Sequence, residues 1–166
     1  MALKPDRIEL LTDISYFMNN ATSSTIERGG VVSVVTSGSG VSMDDGNAVV
    51  AYSAVGQAAL PVGVLLNDVV NLDLTRQHIN WHKDEVQGGG KVTLLRNGQV
   101  VTNKYISTGG TAISAGVPAY LAHQGNVAAT GVVLITPFAT GLAPRIGTFL
   151  SAPDADGYVK LSVNLQ

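Results

Sequence analysis

The pattern of apolar and polar positions changes near residue 29. From Gly29 onward, short runs of Val, Ile, Leu, Thr and Tyr alternate with Gly, Asn, Asp and Ser, roughly every ten residues. The clearest apolar runs are 31–35, 48–52, 62–66, 91–95 and 99–102. The last two flank Arg96-Asn97-Gly98, and Asn-Gly favours a two-residue hairpin turn because that turn needs positive φ twice.

Many short strands separated by regular turns indicate an all-β fold, either a small barrel or a sandwich. We predict one β domain at residues 29–166. Its halves, 29–75 and 91–166, are joined by a polar connector. No alternation of strands with helices is visible, which argues against nucleotide-binding α/β folds.

Residues 1–28 carry a different pattern, which predicts a short N-terminal helix. Apolar side chains recur there at three- and four-residue spacings, with charged residues on the other faces. Two interpretations stay open: an ordinary first helix packed on the domain, or an arm that reaches a neighbouring subunit. For the arm, the candidate partner-binding residues are Ile8, Leu11, Ile14, Phe17 and Met18.

A weak internal repeat suggests that the β domain contains a duplicated unit. Four segments of the first half resemble four segments of the second half, in the same order. The matched pairs are 30–33 with 98–102, 46–52 with 116–120, 61–65 with 144–150, and 70–74 with 159–163.

The composition points to a folded chain whose surface is partly covered by a partner. Hydrophobic residues make up 45% of the 166 positions, but charged residues only 13%, about half the usual share of roughly 25%. A surface made polar by Ser, Thr, Asn and Gln is the alternative explanation. The net charge of −2 provides no basic field for nucleic acid. No stretch approaches the roughly 18 apolar residues of a membrane span, and the first residues lack a signal-peptide pattern.

Two histidines are the strongest hint of chemistry, and it is a weak one. His78 and His82 lie four residues apart around Trp81, a spacing that zinc proteases use on a helix. Ile79 occupies the position of the general base in that motif, so we interpret the stretch as a loop or short helix between the two halves. Cysteine is absent, which excludes thiolate nucleophiles and Cys-type zinc sites.

The remaining polar motifs are interpreted as turns. Asp154-Ala155-Asp156-Gly157 begins like a calcium loop, but the residues after Gly157 supply no further oxygen ligands. We therefore assign no catalytic, cofactor-binding or metal-ligating residue, and we predict a non-enzymatic protein. Carbohydrate binding would need exposed aromatic side chains, for which the candidates are Trp81, Tyr52, Tyr105 and Tyr120.

Four β segments carry a resemblance to a known family. They are Gly46-Asn47-Ala48-Val49-Val50, Pro61-Val62-Gly63-Val64-Leu65, Gly116-Val117-Pro118-Ala119-Tyr120 and Ile146-Gly147-Thr148-Phe149-Leu150. Together with the Val-rich strands of 29–166, they resemble the capsid decoration (cement) proteins of tailed bacteriophages. That family has a G-D-x-V strand start followed by an x-x-G-V strand; Asn47 and Pro118 stand here in place of the Asp.

The resemblance implies a virion protein on the outer capsid surface, made in the bacterial host cytoplasm. Such proteins are small β barrels or sandwiches that clamp neighbouring major capsid subunits, often as trimers or dimers. The expected partners are therefore the chain itself, more as a trimer than as a dimer, and the major capsid protein. An N-terminal arm that becomes ordered on the capsid is common in the family. The alternatives are a tail-tube or baseplate subunit and a carbohydrate-binding β domain.

Overall fold

A computed structural model describes residues 2–18, 26–35, 49–52, 60–70, 85–107, 111–130 and 143–165. His78, Trp81 and His82 lie outside these residues. The described strands are β1 (Ile8–Asp13), β2 (Phe17–Met18), β3 (Val31–Val34), β4 (Val49–Tyr52), β5 (Pro61–Leu65), β6 (Asp68–Val70), β7 (Glu85–Gln87), β8 (Leu94–Thr102), β9 (Tyr105–Ile106), β10 (Pro118–Leu121), β11 (Val127–Ala128), β12 (Arg145–Phe149) and β13 (Val159–Asn164). A single 3₁₀ turn, His123–Gly125, completes the described elements.

The strands form one large curled sheet, so the predicted all-β class is confirmed. The order in this sheet is β2-β4-β3-β5-β8-β13-β12-β10-β11-β9, and β1 pairs with β8 beside that path. The sheet bends into a half-barrel. Strands β6 and β7 form a separate parallel pair.

The predicted N-terminal helix is not confirmed, because residues 8–13 form strand β1 instead. This strand pairs antiparallel with β8, from Ile8 opposite Gln99 to Asp13 opposite Leu94. An isolated short helix is marginal in water, whereas the edge of β8 supplies backbone partners to the N-terminal segment. Tertiary pairing thus overrides the helical spacing of the apolar residues. Whether residues 1–28 act as a unit separate from 29–166 stays a prediction.

The predicted hairpin turn at Asn97-Gly98 is wrong. Strand β8 runs without interruption through both residues, from Leu94 to Thr102. Gly98 does have a positive φ, 150°, but it adopts this angle within the strand and not in a turn. A Cβ at this position would collide with the carbonyl oxygen of Ile8, so glycine here permits the close approach of β1.

Two clusters of buried side chains stabilise the half-barrel. The larger one includes Phe149, Leu121 and Ile146, which are fully buried, together with Leu3. The second includes Leu65, Leu94 and Met18. The N-terminal segment therefore contributes one buried side chain to each cluster, Leu3 before β1 and Met18 after it, and Tyr16 packs against the second cluster.

The predicted residue correspondence between two halves is not confirmed. It matches β3 with β8, yet β3 lies between β4 and β5 while β8 borders neither β10 nor β12. A different recurrence exists in the strand pairing. The order β2-β4-β3-β5 reappears as β9-β11-β10-β12, and in each set the first pair is parallel and the next two are antiparallel.

Burial predicts opposite consequences for two leucines of the N-terminal segment. Leu3→Ala should lower the free energy of unfolding by about 2–5 kcal/mol, because Leu3 is 2% exposed and its loss leaves a cavity. Leu10→Ala should change it by less than about 0.5 kcal/mol, because Leu10 is 73% exposed. Urea unfolding of the two variants measures both values. Equal effects would contradict the docking of Leu3 in the core.

Candidate functional site

Exposed large apolar side chains concentrate in one short segment. Among the described residues, six such side chains are exposed, and four of them lie between positions 8 and 14. Ile8 is 48% exposed, Leu10 73%, Leu11 51% and Ile14 65%. We call these four side chains the β1 surface. Scattered exposed leucines are ordinary in proteins, but a contiguous apolar set is typical of an interaction site.

Strand β1 lies at the edge of the sheet. Leu94 and Leu95 of β8 each have two ladder partners, one in β1 and one in β5, so these strands flank β8 on opposite sides. Asn97, Gly98 and Gln99 likewise pair with β1 on one side and β13 on the other. Within the part of the chain that the structure describes, no strand pairs with the other edge of β1. As far as the described residues go, its outward backbone groups resemble those of an edge strand, which can pair with another chain.

A double irregularity explains why neighbouring residues of β1 are all exposed. Leu10 has no partner on β8, since the register passes from Glu9 opposite Gly98 to Leu11 opposite Asn97. On β8, Arg96 is skipped in the same way. An extra residue in a strand breaks the regular in-out alternation and increases the local twist. Five of the six residues of β1 are exposed, in agreement with this irregularity.

The segment that carries the β1 surface is fastened at both ends. Before β1, the backbone N–H of Lys4 donates to the carbonyl of Val101 at 2.9 Å, and that of Asn103 donates to the carbonyl of Ala2 at 3.0 Å. After β1, the N–H of Met18 donates to the carbonyl of Gly90 at 3.0 Å. Residues 2–18 are consequently held along the domain, so the exposed side chains are presented in a defined geometry.

Ion pairs hold the charged residues around the β1 surface. Lys4 Nζ lies 2.9 Å from Asp154 Oδ2 and 3.4 Å from Asp156 Oδ2, and 4.3 Å from the centre of the Tyr158 ring. Asp6 Oδ2 lies 3.5 Å from Lys160 Nζ.

Closer to the strand, Arg7 Nε lies 2.5 Å from Glu9 Oε1, and Asp13 Oδ2 lies 3.5 Å from Arg96 Nη1. Exposed pairs of this kind contribute little stability, roughly 0–1 kcal/mol each. Because each charge has an opposite partner close by, these pairs leave little net charge beside the β1 surface.

Hydrogen bonds lower the pKa of two aspartates beside this segment. The Ser15 hydroxyl donates to Asp13 Oδ1 at 2.6 Å and is the main reason that the pKa of Asp13 lies below its usual range; the Ser15 N–H and Arg96 act in the same direction. The pKa of Asp154 is lowered first by the backbone N–H of Tyr158 and then by Lys4. The pKa of Lys4 is raised by its hydrogen bond to Asp154.

The five predicted partner-binding residues fall into two groups. Ile8, Leu11 and Ile14 lie together on the β1 surface, and their role in binding stays a prediction. Phe17 is half-buried, with Lys91 Nζ 5.2 Å from its ring centre, and Met18 is 1% exposed inside the second core cluster.

Met18 therefore packs in the core of the free chain, and a role of Phe17 or Met18 in partner binding stays a prediction. Leu10 is the most exposed member of the surface. The sequence prediction does not include it, because Leu10 does not fit the helical spacing. A strand interpretation of 8–13, with five of six residues exposed, would have included it.

The structure gives the acidic turn at Asp154 a structural role. Asp154 Oδ1 accepts hydrogen bonds from the backbone N–H groups of Asp156 and Tyr158, at 3.0 and 2.7 Å, while Oδ2 contacts Lys4. The described residues contain no group of three or more His, Cys, Asp or Glu side chains that could hold a metal ion.

Two of the candidate aromatic residues pack inward. The Tyr52 hydroxyl donates to the carbonyl of Glu27, burial raises the Tyr52 pKa, and the ring packs on the second cluster. Tyr105 packs against the larger cluster. Neither ring therefore forms a free platform for a sugar.

An open cleft of about 610 Å³ lies between the start of β5 and the strands β12 and β13. Its lining mixes apolar and polar side chains, including Leu60, Arg145, Thr148 and Asn164. The guanidinium of Arg145 donates to the carbonyl of Gly147 at 3.2 Å and to Thr148 Oγ1 at 3.0 Å, so part of its hydrogen-bonding capacity is used by its own strand. No arrangement of reactive groups is present in this lining.

The described residues form no helix that is long and apolar enough to cross a bilayer. A comparison of the chain with protein-family models finds no match. A comparison with curated proteins likewise finds none.

The lowered pKa of Asp13 predicts how stability changes in acid. A group whose pKa is lower in the folded state stabilises the fold above its ordinary pKa of about 3.9, and this contribution disappears as the pH falls through the folded value. Ser15→Ala removes the main cause of the shift, so the free energy of unfolding should fall less steeply between about pH 5 and pH 2. Urea unfolding across this range measures the slope.

The matched control is the same substitution in an Asp13→Asn background. There Ser15→Ala should leave the pH dependence unchanged, since position 13 no longer carries a carboxylate that Ser15 could stabilise. An equal effect in both backgrounds would show that Ser15 acts through another group.

Proposed function

We propose that this chain is a structural virion protein that binds the outer surface of a tailed-phage capsid and stabilises contacts between major capsid subunits. The observation that supports it most directly is the β1 surface, an apolar set of side chains carried by a strand at a sheet edge. The second support is the low share of charged residues, 13% of the chain. Both properties favour a subunit that is partly covered by other proteins.

Binding would come from burial of the β1 surface, repeated over many copies. Complete burial of a Leu or Ile side chain is worth roughly 1.5–3 kcal/mol, and these four side chains are already partly covered in the free chain. The gain per copy is therefore modest. Copies that are linked to one another bind a repeating lattice with avidity, so a weak single contact suffices.

Because both ends of the segment contact the domain, we propose an ordered contact in place of the expected free arm. A free arm loses conformational entropy when it becomes ordered on a partner, whereas a segment held by Leu3 and Met18 has lost much of it already. In this proposal, residues 8–14 form a preorganised contact on a non-enzymatic protein that needs no cofactor. The protein is made in the bacterial cytoplasm and resides on the virion.

A substitution on the β1 surface tests the proposal. Leu11→Lys places a charge on a 51% exposed position, so it should leave the fold intact and weaken binding to the capsid about tenfold or more, because the charge would be buried without a partner. Co-sedimentation with expanded capsids of the encoding phage that lack this protein measures the affinity. Circular dichroism verifies the fold.

Leu60→Lys is the matched control, since Leu60 is 66% exposed and lies outside the β1 surface. It should bind as the unaltered chain does. If the unaltered chain fails to bind expanded capsids, the proposed function is wrong. If the purified chain instead forms rings or tubes in electron micrographs, the tail-tube or baseplate alternative is favoured.

A further inference from the structure

We propose that the open edge of β1 pairs with β1 of a second copy, antiparallel, about a two-fold axis at Leu10. The result is a dimer in which the two half-barrel sheets become continuous. This inference uses the same surface as the proposed function, but it needs no capsid and stands without one. It also favours a dimer over the expected trimer.

The open edge is the first observation behind this dimer. The pairing order β2-β4-β3-β5 recurs as β9-β11-β10-β12. Strand β1 comes directly before the first set in the chain, and strand β8 comes directly before the second. By this comparison, β1 and β8 hold equivalent places. Along β8, both edges have strand partners, β1 on one side and β5 and β13 on the other. Along β1, the described residues provide a partner on one edge only. An additional strand from another chain would complete the equivalent arrangement.

Symmetry restricts how two copies of one strand can pair. In an antiparallel pair of identical strands, the two-fold axis is perpendicular to the sheet, so one residue must lie opposite itself. For β1, the registers centred on Leu10 and Leu11 keep the largest part of the strand paired. The register centred on Glu9 is unfavourable because it sets two carboxylates directly opposite each other.

The charges of β1 select between the two remaining registers. Centring on Leu11 places Glu9 opposite Asp13 of the second copy, which is a like-charge pair that occurs twice. Centring on Leu10 places Arg7, the residue just before β1, opposite Asp13 of the second copy, an opposite-charge pair that also occurs twice. Of these two registers, the one centred on Leu10 is complementary in charge and the one centred on Leu11 is not, and this complementarity favours a second copy as the occupant.

The geometry of Leu10 agrees with this register. Leu10 is the extra residue of β1 relative to β8, and it is the most exposed large apolar side chain that the structure describes, at 73%. On the axis, the two Leu10 side chains would cover each other, and Ile8 would lie opposite Thr12 of the second copy. The local twist at this position limits the paired length, so we expect a short ladder and a dimer that dissociates on dilution.

Arg7 and Asp13 are available for the cross-pairs. Both have a partner within their own chain, Glu9 and Arg96, but the Asp13–Arg96 contact is 3.5 Å long. Arg7 of the second copy would therefore join an existing carboxylate–guanidinium pair. Since the cross-pairs lie at the rim of the contact, salt should weaken the dimer.

Light scattering after size exclusion tests the dimer on the full chain over a range of concentrations. The unaltered chain should form a concentration-dependent dimer, and Leu10→Lys should raise its dissociation constant about tenfold or more, since it sets two like charges at the axis. Leu60→Lys, matched in exposure at 66%, should leave it unchanged. A monomer at all concentrations, or an oligomer that Leu10→Lys does not weaken, would overturn the inference.

Cysteine substitution tests the register, because the natural chain has no cysteine. Leu10→Cys should form an inter-chain disulfide faster than Glu9→Cys or Leu11→Cys, since directly opposite residues bring their Cβ atoms within about 4.5–5.5 Å. Fastest cross-linking at position 11 or 9 would overturn the Leu10 register. Equal rates at all three positions would overturn the strand pairing itself.

The two proposals fail in different ways. A dimer that does not bind capsids would leave this inference standing and contradict the proposed function. A monomer that binds capsids and loses binding on Leu11→Lys would support the proposed function and overturn the dimer.

Discussion

The pairing of the N-terminal segment along β8 is the interaction on which the rest of this structure depends. It places Leu3 in one core cluster and Met18 in the other, so a single extended segment joins both. Gly98 makes the pairing possible, because any side chain there would meet the carbonyl oxygen of Ile8. The same pairing turns the apolar residues between the two anchors outward.

This arrangement explains why a charge-poor chain can present an apolar edge in a defined geometry. The energy that fixes residues 2–18 comes from buried side chains at the two ends and from backbone hydrogen bonds. The β1 surface between them contributes little to the fold, since its side chains are mostly in solvent. The residues that stabilise the fold are therefore separated from the exposed β1 surface along the segment, and substitutions can change one without the other.

Errors in the sequence interpretation have identifiable physical causes. The spacing of Ile8, Leu11, Ile14 and Met18 satisfies a helical period, but helix spacing only matters if one face packs on a core. Here Met18 packs and Ile14 does not, because the chain is extended. Asn97 and Gly98 favour a hairpin turn locally, but both residues pair with β1 on one side and with β13 on the other, so they stay within strand β8.

The sequence by itself determined the all-β class, since alternating short apolar runs and turn residues reflect local backbone preferences. It also indicated that residues 8–18 matter for packing or contact. Only the tertiary structure decided which of them are buried and which are exposed, and that no described strand pairs with the outer edge of β1. Strand order, register and bulges depend on residues distant in the chain, such as Ile8 and Gln99, and no local pattern encodes them. A surface formed in this way follows from the register of two strands rather than from either strand alone.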